Sequence, residues 1–138
     1  AKGVTVNEYP FSDSNDIAAI TQNAAASCDA LYVPTDNAAA SAAQTIYGAM
    51  ATKKPLIAGE SGICSGCGIA TLSLDYYDLG YATGEMAVKI LRDGADISTM
   101  PIAYIAEEKI TKKYNKEICE DLGISPADME AKGYVALQ

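Results

Sequence analysis

Short apolar runs alternate with segments of helical period along nearly the whole chain. This order constrains the fold more than any other feature, because strands joined by helical crossovers assemble into a parallel sheet with helices on its faces. The 138 residues make one domain of this kind. The pattern predicts an α/β fold: a three-layer, doubly wound, mostly parallel sheet over residues 1–138.

The elements read as follows. Residues 3–8 form a first strand, broken by Pro10 and the polar cluster Ser12 to Asp16, which offers helix caps. A helix carrying Ile17, Ile20 and Ala24 leads to a second strand over 29–33. Asp36 and Asn37 cap an alanine-rich helix running to about Thr52, and residues 55–58 form a third strand. Residues 59–68 hold four glycines and read as a loop with room for one helical turn. A fourth strand spans 69–74. Asp75 then starts the best helix, with Leu79, Ala82, Met86 and Ile90 on one stripe and Gly94 as its stop. Residues 101–106 are a fifth extended segment and 109–113 a sixth. Asn115 caps a short helix stopped by Gly123, and Ser125-Pro126 opens the last one. The opening Lys2-Gly3-Val4-Thr5-Val6 resembles a helix end passing into a strand, so the chain is expected to be a segment of a longer α/β protein.

Composition narrows the function. Ten Lys and Arg against eighteen Asp and Glu give a net charge of −8, which argues against nucleic acid or an anionic membrane surface as partner. With no histidine, the chain has no Ser-His-Asp triad, no Cys-His pair and no His-containing metal site. The sequence also shows no phosphate-cradling glycine loop and no nucleophile beside a base. No catalytic residue, metal or cofactor is assigned.

In open parallel sheets, ligands bind beyond the C-terminal ends of the strands. Those ends here carry Thr35-Asp36-Asn37, Glu60-Ser61 and Asp75-Tyr76. Carboxylates, amides and hydroxyls suit a polar ligand bearing an amine or hydroxyls. Asp36, Asn37 and Asp75 taken singly are equally well read as helix caps, and three polar strand ends in succession favour a site. Tyr76, Tyr77 and Tyr81 either stack on a planar ligand or cover a helix–sheet junction. Cys64 and Cys67 form a lone C-x-x-C inside the glycine-rich segment. It lacks the second pair a zinc site needs and does not open a helix after a first strand as a thioredoxin-like motif would, so it reads as two thiols or a local disulfide in a loop. Cys28 and Cys119 read as small buried or half-buried side chains.

The stretches DALYVPTDNAAASAAQTI, KKPLIAGESG and GIATLSLDYYDLGYATGEMAVKILRDGADISTMPI together resemble the C-terminal portion of ABC-transporter substrate-binding proteins, in the group that binds aromatic amino acids. The resemblance implies a type I periplasmic-binding fold, in which two α/β lobes clasp a ligand between them. This chain would be most of the C-terminal lobe, with residues 76–100 packing on the N-terminal lobe. It implies ligand contacts from Thr35, Asp36, Asn37, Glu60, Ser61, Leu74, Asp75 and Tyr76, and weaker ones from Ser14 and Asn15. The implied partners are a small ligand, an amino acid, and the membrane permease of an import system. The implied location is extracytoplasmic, as a periplasmic protein or a cell-surface lipoprotein, with signal peptide and anchor outside these residues. The cysteine pair is unexpected in that group. Made alone, the chain is expected either to fold its long helix back on the sheet or to form a homodimer through Leu79, Met86 and Ile90. Two other readings compete: the effector domain of a transcription regulator, and a doubly wound enzyme using Asp36, Glu60 and Asp75.

Overall fold

A computed structural model describes residues 3–137. Its helices and strands are, in order, α1 (Ile17–Ser27), β1 (Leu31–Val33), α2 (Asn37–Ser41), α3 (Ala43–Ala49), β2 (Leu56–Ala58), α4 (Ser61–Cys67), β3 (Ala70–Ser73), α5 (Tyr76–Leu91), β4 (Thr111–Tyr114), α6 (Lys116–Asp121), α7 (Pro126–Ala131) and β5 (Val135–Ala136). The strands form a five-stranded sheet in sequential order β1-β2-β3-β4-β5. All neighbours are parallel except β3 and β4, which run antiparallel with Ser73 opposite Thr111 and Thr71 opposite Lys113. The fold is the expected mostly parallel α/β sheet.

The main core lies between α1–α4 and one face of the sheet. It gathers Ile17, Ala39, Ala43, Ile46, Leu56, Ala58, Ile63, Cys64 and Cys67, all buried. Alanine at the helix contacts allows close approach. Gly66 of α4 lies so near α3 that a Cβ there would sit 2.4 Å from the Cβ of Ala43. A smaller cluster of Ala70, Tyr114, Cys119 and Met129 forms where α6 and α7 pack. The register places Tyr32, Ile57, Ala70 and Tyr114 in one row on the second sheet face. Ala70 and Tyr114 are buried, whereas Tyr32 and Ile57 are 67% and 42% exposed.

Several expectations are corrected. Residues 3–8 and 101–106 are not strands. Both alternate as strands do, but neither segment forms a backbone ladder with the sheet, whose strand order is β1 to β5. Val4, Val6, Ile102 and Tyr104 are accordingly exposed. The alanine-rich helix is two helices, broken at Ala42 and ending at Ala49, beyond which Met50 turns into the core. The glycine-rich loop is a helix, α4, whose glycines serve packing and whose apolar Ile63, Cys64 and Cys67 face the core. The sixth extended segment begins as a 3-10 turn and becomes β4 at Thr111. β5 was not foreseen.

The long helix α5 is as the stripe predicted, capped by Asp75 and followed by Gly94 at φ +69°. It has no buried residue and does not fold back on the sheet, contrary to one of the two expectations for this helix. An ion pair from Lys109 to Asp78, at 3.0 Å, ties its first turn to the returning chain.

Candidate functional site

The strand ends predicted as a ligand rim are built from helix caps and loop cross-links. After β1, the Thr35 hydroxyl donates to the Gly59 carbonyl at 3.2 Å, joining the first rim segment to the second. The two loops touch so closely that a Cβ on Gly59 would lie 2.5 Å from the Thr35 backbone nitrogen. Asp36 caps α2 by accepting from the Ala39 N–H at 2.8 Å. After β2, the Glu60 carboxylate accepts from the N–H groups of Gly62 and Ile63 at the start of α4. Asp75 accepts from the Tyr77 N–H at 2.8 Å and starts α5. The reading of Asp36 and Asp75 as caps is therefore correct, and Glu60 caps a helix that the sequence reading took for a loop. Each keeps unused acceptor capacity, since a carboxylate offers about four lone-pair sites.

A cavity of about 350 Å³ opens at the C-terminal end of β3, lined by Glu60, Ser61, Ser73, Leu74, Asp75, Tyr76, Thr111 and Lys113. Its floor is a hydroxyl pair, Ser61 Oγ and Ser73 Oγ, 2.6 Å apart. Tyr76 is 58% exposed and lies at the rim. Two residues before Ser73 on the same strand face, Thr71 is buried, and its hydroxyl oxygen has no hydrogen-bond partner among the described residues.

Of the residues singled out in the sequence, Glu60, Ser61, Leu74, Asp75 and Tyr76 line this cavity. Thr35, Asp36 and Asn37 stand on the adjoining loop, outside the lining but tied to it through the Thr35–Gly59 bond. Ser14 and Asn15 lie in an exposed turn before α1, where the Asn15 N–H is held by Asp13, and do not reach the cavity. Sequence reasoning missed Ser73, Thr111 and Lys113. Ser73 sat one residue inside the strand end. The other two belong to β4, whose antiparallel course brings its beginning to the end of β3.

Cys64 and Cys67 are buried on α4, and their thiols donate to the carbonyls of Gly68 and Ile63. Burial pushes both thiols up to about 12 and raises Cys119 as well. Thiols held protonated are poor nucleophiles and poor metal ligands. Among the described residues no group of three or more Cys, Asp or Glu is placed to hold a metal ion, and no helix is long and apolar enough to cross a membrane.

Comparison with known proteins agrees with this architecture. Residues 1–130 match the family model described as ABC transporter substrate binding protein. A tyrosine-binding protein of Clostridioides difficile is 33% identical over 106 residues, which are 76% of this chain and 30% of that protein. The crystal structure of an ABC domain in complex with L-Trp, from Streptococcus pneumonia, superposes with a TM-score of 0.81 at 29% identity, covering 99% of this chain and 46% of that one. The ligand-free, open structure of a substrate binding protein with adhesive properties, from Clostridium difficile, gives a TM-score of 0.67 at 36% identity, with the same coverages of 99% and 46%. This chain thus spans about a third of the curated relative and about half of the solved ones. The family model and these relatives are named for binding, which favours a binding role for the strand-end acids over a catalytic one. The chain belongs to the ABC transporter substrate-binding protein family.

Proposed function

We propose that this chain is one lobe of a two-lobe binding protein that takes up an aromatic amino acid and delivers it to the permease of an ABC importer. The observation that carries the reading is the cavity at the end of β3, formed where the chain leaves the sheet through Asp75 and Tyr76. Its lining supplies what an amino acid needs. Glu60 and Asp75 accept from an ammonium, the hydroxyls of Ser61, Ser73 and Thr111 donate or accept, and Tyr76 offers a ring to an aromatic side chain. The names of two relatives, a tyrosine-binding protein and a complex with L-Trp, favour aromatic ligands. Thr35, Asp36 and Asn37 border the cleft from the neighbouring loop.

The second lobe packs on α5 and the segment that follows it, about residues 76–100. In support, α5 carries Leu79, Met86 and Ile90 on one stripe yet buries none of its residues. Ligand bridging the two lobes shifts the population from open to closed, and the permease reads the closed form. The protein acts outside the cytoplasm, as is typical of its family. In the absence of the second lobe, a second copy of this chain pairs across the same stripe.

The test is calorimetric titration of the full-length protein with L-tryptophan, L-tyrosine and L-phenylalanine, beside sugars and nucleosides. Micromolar or tighter binding of an aromatic amino acid, weakened at least tenfold by Asp75→Ala, supports the reading. Binding of a sugar or nucleoside alone would point instead to an effector-binding role of the same fold.

A further inference from the structure

Building on the amino-acid reading above, we propose that Lys113 is the carboxylate-binding residue of the site, so that the ligand is held as a zwitterion between Lys113 on one side and Glu60 and Asp75 on the other. Of the eight residues lining the cavity, Lys113 is the single cation. Strand alternation puts it there. β4 carries two consecutive lysines whose side chains leave on opposite faces of the sheet. Lys112 is engaged on the far side: its ammonium donates to the Lys132 carbonyl at 3.3 Å and sits over the Tyr134 ring. Lys113 pairs in register with Thr71 and turns to the face that carries the cavity.

Lys113 is half-buried and makes no ion pair among the described residues. The ion pairs among the described residues are made by Arg92, Lys109 and Lys116. A partly desolvated ammonium without an anionic partner gains most when a carboxylate arrives. The balance of signs then sets the ligand class. Two carboxylates and one ammonium oppose a simple anion, and Lys113 opposes a simple cation. An α-amino acid carries both charges about one bond-pair apart and satisfies both sides. The hydroxyl of Thr111, next to Lys113 on the same edge, is placed to donate to the same carboxylate group.

The test uses the full-length protein and two ligand pairs: L-tryptophan with tryptamine, and L-tyrosine with tyramine. Each amine lacks only the carboxylate. The wild-type protein is expected to prefer the amino acids by about 10- to 100-fold, the range of a charge-assisted hydrogen bond. Lys113→Met should weaken amino-acid binding by that factor and leave amine binding undiminished or tighter, since the ammonium that opposes a cation is gone, while Lys113→Arg keeps most of the preference. The thermal midpoint of each variant reports folding. Should Lys113→Met fail to fold, the wild-type protein titrated with L-tryptophan methyl ester asks the same question, and binding as tight as that of L-tryptophan would overturn the proposal. Equal weakening of amines and amino acids by Lys113→Met, or no weakening, would also overturn it while leaving the amino-acid reading intact. A wild-type protein that binds no amino acid removes that reading and the role of Lys113 together.

Discussion

Gly59→Ala tests whether the candidate site depends on contact between its two rim loops. Gly59 does not use the left-handed backbone region. Alanine could adopt its conformation, and by reducing the freedom of the unfolded chain would stabilise by about 0.4–1 kcal/mol if space allowed. Space decides otherwise. The new Cβ would lie 2.5 Å from the Thr35 nitrogen and 2.8 Å from the Pro34 carbonyl carbon, both backbone atoms. Relief requires the loop after β1 to retreat by about 1 Å, a distance that overpacking costs of about 1–3 kcal/mol normally accompany. The retreat also strains two hydrogen bonds across the junction, from the Gly59 N–H to Val33 at 2.8 Å and from the Thr35 hydroxyl to Gly59 at 3.2 Å. Each is worth about 1 kcal/mol. The steric term therefore outweighs the entropic one, and a net loss of about 1–3 kcal/mol is expected. Urea unfolding of the full-length variant measures it, with Gly48→Ala as control. Gly48 has nothing within 4 Å of its would-be Cβ, and in α3 alanine should stabilise by about 0.5–1 kcal/mol. Because Glu60 follows Gly59 directly, ligand affinity should fall along with stability. A Gly59→Ala protein as stable as its parent would refute the reasoning.

Three further outcomes are expected. Gly66→Ala should destabilise by about 1–3 kcal/mol through its collision with Ala43, and Ala43→Gly in the same chain should restore part of the loss; additive losses would mean that the two positions do not meet. Thr71→Val removes a buried hydroxyl that has no partner and should raise stability by about 1 kcal/mol or more, since an unsatisfied buried group costs about 1–3 kcal/mol; a lower urea midpoint would show that the hydroxyl is satisfied after all. The thiols of Cys64 and Cys67 titrate near 12 when folded, against an ordinary value of 9.0. Below pH 9 both states hold these protons and stability is undiminished. Between 9 and about 12 the unfolded chain loses them first, so stability falls as pH rises. The variant Cys64→Ala/Cys67→Ala should lose stability less steeply over that interval, and an unchanged slope would count against the burial of these thiols.

Much of the site was legible because helix caps and strand ends coincide. Asp36, Asp75, Asn115 and Ser125 announce helix starts by residue type, and each accepts a backbone N–H in the fold. Since the first two also follow parallel strands, a search for caps was at once a search for the rim of a cleft. Glu60 was found as a strand end only, and its capping of α4 is a finding of the structure. Lys113 and Thr111 were invisible to that search, because nothing local says that a strand runs antiparallel to its neighbour.

The residues by themselves determined the βα order, the main helix starts, the apolar stripe of α5 and the polar character of the strand ends. These follow from periodicity and side-chain chemistry, which act over a few residues. Only the tertiary structure decided which alternating segments become strands. Val4 to Glu8 and Ile102 to Tyr104 carry the pattern yet make no ladder with the sheet, while Val135-Ala136 pairs with β4 on a far weaker pattern. It likewise turned the glycine-rich segment into α4, where Gly66 meets Ala43 and two cysteines fill the core. Those outcomes rest on hydrogen bonds and close contacts between residues far apart in the chain, and a local pattern carries no record of its distant partner.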